Sequence, residues 1–191
     1  IPIILAASFL KLNIYLLEPN QVLGRTNRFF LKFSQNIFCY SEKIKNFPNI
    51  HKNKMIVIEP LVNRNIYELS SYNKSRDKFT LLIVGGSQGA SIFDKNLKNL
   101  IVSLSIEIQI KVIQQTNKQN VNHLSDFYSK NNIENKIFSF DKSFSRNIQT
   151  SDLCITRAGA STLAELSLLN IPFIAVPLPT SKDNHQQENA K

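Results

Sequence analysis

The chain has 191 residues, 42% hydrophobic and 19% charged, enough apolar side chain to build one large core or two small ones. Its net charge of +9 favours anionic partners, but the Lys and Arg residues are scattered, Trp is absent and the aromatics form no RNA-binding signature, so nucleic acid is not the expected partner. No apolar run reaches the ~18 residues of a membrane span, and Cys39 and Cys154, each within an apolar run, fit buried reduced thiols rather than a disulfide or metal framework.

Taken in order, IPIILAASFL is halted by Lys11 and lacks a basic leader, so it does not read as a signal peptide. The chain opens on Ile in mid-pattern and reads as a fragment of a longer protein. Residues 4–12 predict the end of a helix and 13–18 (NIYLLE) a buried strand stopped by Pro19-Asn20. Residues 26–35 predict a helix, 37–40 a short strand, and 55–58 another strand closed by Glu59-Pro60. Residues 66–78 are polar and aperiodic, a linker. From Phe79 a second pattern starts, with strands at 79–84, 109–114, 136–140, 153–156 and 172–177. Helices are predicted between them at 91–104, 121–131, 143–150 and 161–169. Strands alternating with helices predict an α/β fold with mostly parallel, doubly wound sheets, whose ligands bind beyond the carboxyl ends of the strands.

The five glycines are concentrated. Gly85, Gly86 and Gly89 share GGSQGA, directly after the strand LLIV, and Gly159 sits in RAGAST, directly after LCIT. Gly24 lies apart in NQVLGRTN. Glycine at a strand-to-helix turn allows positive φ and close backbone approach, and the helix that follows offers free N–H groups to a phosphate. Tight turns without a ligand are the alternative at each site. GGSQGA is neither a Walker A loop nor GxGxxG, which disfavours a simple ATPase and a hydride-transfer fold. Thr162-x-x-Glu165 reads either as a capping box or as a ribose-binding carboxylate beside a phosphate site. In DNHQQEN, His185, Gln186, Gln187 and Asn189 read as sugar-hydroxyl ligands or as a solvated loop or helix start. His51 and His123 carry no signal. No cluster has metal-ligand spacing, and no Ser-His-Asp set has a nucleophile elbow.

IVGGSQGAS (83–91), TRAGASTLAEL (156–166), IPFIAVPLPTSKDNHQQENA (171–190) and, upstream, EPNQVLGRTNR (18–28) together resemble the MurG family of N-acetylglucosaminyltransferases. The resemblance spans nearly the whole chain. It implies a GT-B fold of two Rossmann-like domains, the first incomplete: 1–65 as the later part of the acceptor-side domain, 66–78 as linker and 79–191 as the UDP-sugar donor-binding domain. It implies transfer of N-acetylglucosamine, with inversion, from UDP-N-acetylglucosamine to an undecaprenyl-linked muramoyl-pentapeptide. The enzyme would act peripherally at the cytoplasmic face of the bacterial inner membrane, with no cofactor or required metal. Positive charge would favour the anionic membrane surface by roughly 1 kcal/mol per well-placed Lys or Arg.

Carried over position by position, the resemblance implies donor-binding roles for Ser87 and for Ala160, Ser161, Thr162, Leu163, Ala164 and Glu165. The carboxylate of Glu165 would hold the ribose. Gln186, with His185 beside it, would contact the donor sugar, and Asn20 would reach the donor from the first domain. Gly85, Gly86, Gln88, Gly89 and Gly159 form the implied phosphate loops. Asp141 stands where the family has an apolar residue near uracil. The family's HEQN reads Leu17-Glu18-Pro19-Asn20, and its phosphate-contacting arginine turn survives as Glu59-Pro60-Leu61-Val62-Asn63-Arg64, with Arg64 or Asn63 in the contact position. The general base is expected upstream of Ile1, so these residues alone should be inactive or nearly so. Competing readings are another GT-B UDP-sugar enzyme such as a UDP-N-acetylglucosamine 2-epimerase, a non-catalytic donor-binding subunit, and a basic membrane-surface or nucleic-acid binder.

Overall fold

The computed structural model describes residues 2–67, 78–179 and 184–191. They form two compact units, Ile1–Leu61 with Pro179–Lys191, and Val62–Leu178.

The first unit opens with α1 (Pro2–Phe9), followed by β1 (Tyr15–Glu18), α2 (Arg25–Phe30), β2 (Asn36–Cys39) and β3 (Met55–Val57). The strands form a parallel sheet in the order β1-β2-β3. β1 alternates: Leu16 and Glu18 are buried while Tyr15 and Leu17 are exposed. One face of the expected buried strand is therefore the core face. Leu16, Ile37 and Cys39 pack there against Leu23, Phe30, Leu31 and Ile44. The charged Glu18, only 2% exposed, sits on the same apolar face.

The second unit contains α3 (Arg64–Tyr67), β4 (Phe79–Val84), α4 (Gly86–Glu107), β5 (Ile110–Gln115), α5 (Val121–Lys130), β6 (Glu134–Phe138), α6 (Phe144–Gln149), β7 (Leu153–Thr156), α7 (Ala160–Leu168) and β8 (Phe173–Ala175). All five strands are parallel, ordered β6-β5-β4-β7-β8. β4 is central and reads as a continuous apolar run because both its faces are covered. Leu81 and Ile83 pack with Phe93 and Ile101 of α4 and Leu124 and Tyr128 of α5. Leu82 and Val84 pack on the other side with Ile148 of α6 and Leu166 of α7. The sheet is doubly wound, as expected. The short α8 (His185–Asn189) packs with the first unit.

Two local expectations need correction. Helix α4 begins at Gly86, so most of GGSQGA is wound into its first turns and is not an extended loop. β6 lies two residues upstream of the expected 136–140, because Asn132 turns the chain in left-handed geometry (φ 56°) and Phe138 fills the core. Phe140 is left 78% exposed beyond it. The expected linker begins inside α3, whose Ile66 is buried, while its residues 68–77 lie outside the described residues. Cys39 and Cys154 are free and buried, and burial pushes their thiols up to about 11 and about 12.

Candidate functional site

From β4 the chain winds outward through β5 and β6, then returns to β7 on the opposite side of β4. This reversal makes a topological switch point between β4 and β7, where crevices form in open α/β sheets. The strand ends Val84 and Thr156 are register partners, and Arg157 N donates to Val84 O at 3.2 Å. The two glycine-bearing turns therefore leave the sheet side by side.

In the first turn, Gly86 has φ +64°, a conformation costly for residues with a Cβ. Its N–H donates to Gln115 Oε1 at 3.0 Å. Ser87, Gln88 and Gly89 follow within α4, and the side chains of Ser87 and Gln88 lie outside the described set. The helix is anchored by Asp94. Its Oδ1 accepts from Gln114 Nε2 at 2.8 Å, and its Oδ2 accepts from Thr116 Oγ1 and Asn120 Nδ2. Tyr128 donates its hydroxyl to Gln114 Oε1 at 2.8 Å, and burial raises the Tyr128 pKa well above its ordinary value. Buried Gln114 is thus oriented from both ends.

The second turn ends at Gly159, the N-cap of α7, in extended geometry (φ −80°, ψ 128°) and with no side-chain cap. The capping-box expectation for Thr162 and Glu165 is corrected here. α7 starts at Ala160, so Thr162 is its third residue, and the capping position holds a glycine with no side chain to accept a bond. The first main-chain bond of the helix runs from Leu163 N to Gly159 O at 3.0 Å. The N–H groups of Ala160, Ser161 and Thr162 precede it, the usual orphans of a helix start. A Cβ built on Gly159 meets nothing within 4 Å, so the approach to these groups is open.

Arg157, 6% exposed, lies in the same turn. Its Nη1 donates to Val176 O and Pro177 O at 3.0 and 3.2 Å, and the guanidinium stands 4.9 Å from the Phe93 ring centre. Nε and Nη2 are buried and meet no acceptor among the described residues. Burial lowers the Arg157 pKa, but an arginine stays charged at neutral pH. A buried cation with unmet donors is costly unless an acceptor reaches it.

Half-buried Glu165 accepts from the backbone N–H of Asn63. Burial raises its pKa and this hydrogen bond opposes the rise. The fold therefore brings the Asn63-Arg64 turn against α7, two segments a hundred residues apart in the chain. Arg64 is the first residue of α3 and is exposed. Asp141 accepts from Lys136 Nζ at 2.6 Å, Asn147 Nδ2 at 2.9 Å and Ser143 N at 2.8 Å. Lys136 and Asn147 hold its carboxyl down at about 2. Its side chain is committed to the turn after β6.

In the first unit, Glu18 ends β1 and gathers the loop that follows. Oε1 accepts from Asn20 N at 3.2 Å and Asn20 Nδ2 at 3.0 Å; Oε2 accepts from Gly24 N at 2.7 Å and Asn27 Nδ2 at 3.0 Å. From α8, Asn189 Oδ1 accepts from Gln21 N at 2.9 Å and Asn189 Nδ2 donates to Asn20 Oδ1 at 3.0 Å. His185 and Gln186 open the same short helix and are half-buried. Among the described residues, no group of three His, Cys, Asp or Glu could hold a metal ion, and no helix is long and apolar enough to cross a membrane.

Residues 80–191 match the model of the glycosyltransferase family 28 C-terminal domain. The chain belongs to this family. It is 50% identical over 190 residues to the UDP-N-acetylglucosamine–N-acetylmuramyl-(pentapeptide) pyrophosphoryl-undecaprenol N-acetylglucosamine transferase of Pelagibacter ubique, covering 100% of this chain and 53% of that protein. It is 38% identical to the transferase of the same name from Rickettsia canadensis, covering 97% of this chain and 54% of that protein. The chain thus spans about half the length of the curated relatives it matches. In three dimensions it resembles the crystal structure of Acinetobacter baumannii MurG, with a TM-score of 0.73 at 26% identity, over 99% of this chain and 53% of that one. A UDP co-structure of Staphylococcus aureus MnaA shares the fold at a TM-score of 0.58 and 16% identity, over 90% of this chain and 52% of that one. The architecture is that of the GT-B glycosyltransferases.

Within this family-28 frame, sequence reasoning passed over Arg157, Glu18 and Gln115. Arg157 had a signal, a charged residue placed directly after the apolar strand LCIT at a carboxyl end. Glu18 had one as well, a carboxylate on the core side of an alternating strand. Gln115 had none, since its partner is the main chain of a residue on another element.

Proposed function

We propose that the chain carries the donor-binding part of an inverting transferase. It would move N-acetylglucosamine from UDP-N-acetylglucosamine to an undecaprenyl-linked muramoyl-pentapeptide, peripherally at the cytoplasmic face of a bacterial inner membrane. Residues 1–65, 66–78 and 79–191 are read as acceptor-side part, linker and donor-side domain in chain order. The observation that carries this reading is the open, uncapped start of α7 beside the buried Arg157 at the switch point. When the glycosidic bond to the nucleotide breaks, negative charge grows on the diphosphate. The free N–H groups of α7 and the guanidinium of Arg157 would stabilise that charge without reorganising, a contribution of several kcal/mol in comparable sites.

In this reading the Gly85–Gly86 turn, with Ser87, Gln88 and Gly89, and the Gly159 turn border the diphosphate. Ala160–Ala164 line it and Glu165 accepts from the ribose hydroxyls. The Asn63–Glu165 contact supports a role for the Asn63-Arg64 turn at the same place. Asp141 would meet uracil through its main chain, since its carboxylate is held by Lys136. Isothermal titration with UDP-N-acetylglucosamine should show binding that ATP and an oligonucleotide do not reproduce. Glu165→Gln should weaken it about tenfold, the loss of one charged hydrogen bond. Unchanged affinity in Glu165→Gln and in Gly159→Val would overturn the reading. Formation of UDP-N-acetylmannosamine without a lipid acceptor would redirect it to an epimerase.

A further inference from the structure

We propose that Gln115 is a positioning residue that holds the Gly86 turn at the switch point in the shape that borders a diphosphate, leaving the direct hydrogen bonds to the anion to the start of α7. The proposal rests on the function above and adds what fixes the first turn and how the two helix starts share the ligand. The starts look alike in the sequence and differ in their donors. At α7, the N–H groups of Ala160, Ser161 and Thr162 come before the first main-chain bond of the helix, from Leu163 N to Gly159 O. At α4, the leading N–H belongs to Gly86 and is already given to Gln115 Oε1 at 3.0 Å.

The Gly86 turn needs such a tie. Its φ is +64°, and open space stands where a Cβ would be. Glycine moves between backbone conformations at little cost, so nothing at the residue itself keeps the turn in this one. The Gln115 amide can keep it because it is held at both ends: its Nε2 donates to Ser139 O, just beyond β6, at 3.5 Å. A main-chain N–H only donates and a carbonyl only accepts, so both contacts assign the amide identically. A flipped amide would set donor against donor at Gly86 and acceptor against acceptor at Ser139. The strand beneath is equally fixed. Gln115 pairs with Phe138 of β6, and Thr116 N donates to Phe138 O at 2.8 Å. The preceding Gln114 is fully buried and clamped between the Tyr128 hydroxyl and Asp94. Successive side chains leave a strand on opposite faces, so locking Gln114 also sets the direction in which Gln115 departs. A phosphate oxygen seeking the Gly86 N–H would have to displace an acceptor anchored at both ends. The α7 start, alongside it through the Val84–Thr156 register, demands no such displacement.

The test is isothermal titration of uridine, UMP and UDP into the full chain and into Gln115→Met, which keeps the side-chain length and removes both amide contacts. Gln115→Met should weaken UDP about tenfold, the scale of one hydrogen bond, and change uridine by less than about twofold. Its thermal midpoint should fall by no more than about 4 °C. Amide exchange needs no variant: the Gly86 N–H should exchange slowly in the unaltered chain and stay slow when UDP saturates it, because no phosphate takes it over. Unchanged UDP affinity in Gln115→Met overturns the positioning role and leaves the donor site standing. An equal loss for uridine and UDP overturns it too, since the damage would then be general. Tighter UDP binding in Gln115→Met would make Gln115 a competitor of the phosphate for the Gly86 N–H. If the unaltered chain gains nothing from uridine to UDP, no diphosphate is read at the switch point; the function proposed above fails, and the positioning role goes with it.

Discussion

Asp141 shows how a single carboxyl can be committed to one turn by its neighbours. Its pairing with Lys136 holds the pKa at about 2 in the folded protein, against ~3.9 for an unfolded aspartate. A depressed folded pKa contributes stability above the unfolded value and loses it as pH falls through the folded one. The contribution should therefore be complete above pH ~4 and vanish toward pH 2. Because Lys136 is 48% exposed, the pair contributes no more than about 1 kcal/mol. Urea unfolding of Asp141→Asn should show that small deficit at pH 7 and none near pH 2. A deficit that persists in acid would mean that the Ser143 and Asn147 hydrogen bonds, not the charge, stabilise the turn.

The two glycine turns look alike as strings and differ as elements. Gly86 occupies left-handed backbone, whereas Gly159 has an ordinary extended conformation and open space at its missing Cβ. Gly86→Ala should cost about 1–2 kcal/mol of stability. Gly159→Ala should change stability by no more than about 0.5 kcal/mol, so any loss of donor affinity in that variant reports on ligand approach. Thermal unfolding and donor titration of both variants separate the two. This difference could not be read from GGSQGA and RAGAST, because φ at a turn depends on where the following helix must begin. The alternation of apolar runs, by contrast, was legible: β4, β5 and β7 fall within a residue of their expected bounds because their burial on the sheet dictates their composition. β6 slipped because IFSF offers two aromatic residues two apart, and only packing decides which one is buried. At the site, glycine concentration pointed to the switch point. The Asp94 network was hidden because its partners lie on later elements; that of Glu18 was hidden, though its partners are close in the chain, because nothing in a short loop shows which side chains fold back onto a carboxylate.

For the molecule as a whole, the net charge of +9 is spread over both compact units, so the proposed attraction to an anionic bilayer would be additive and screened by salt. Co-sedimentation with phosphatidylglycerol vesicles should exceed that with phosphatidylcholine and should fall steeply as NaCl rises past the ionic strength where the Debye length is about 10 Å. Salt-independent binding would point instead to apolar insertion. The family model matches residues 80–191, which take in most of the second unit and the terminal segment Pro179–Lys191 of the first.

Both native thiols are sealed inside the sheets and held in the protonated state, Cys39 at about 11 and Cys154 at about 12. Maleimide chemistry at neutral pH requires thiolate at the surface. A cysteine engineered onto each compact unit would therefore react against a silent background, without first deleting the natural pair. Spectroscopic labels can be installed in this protein directly.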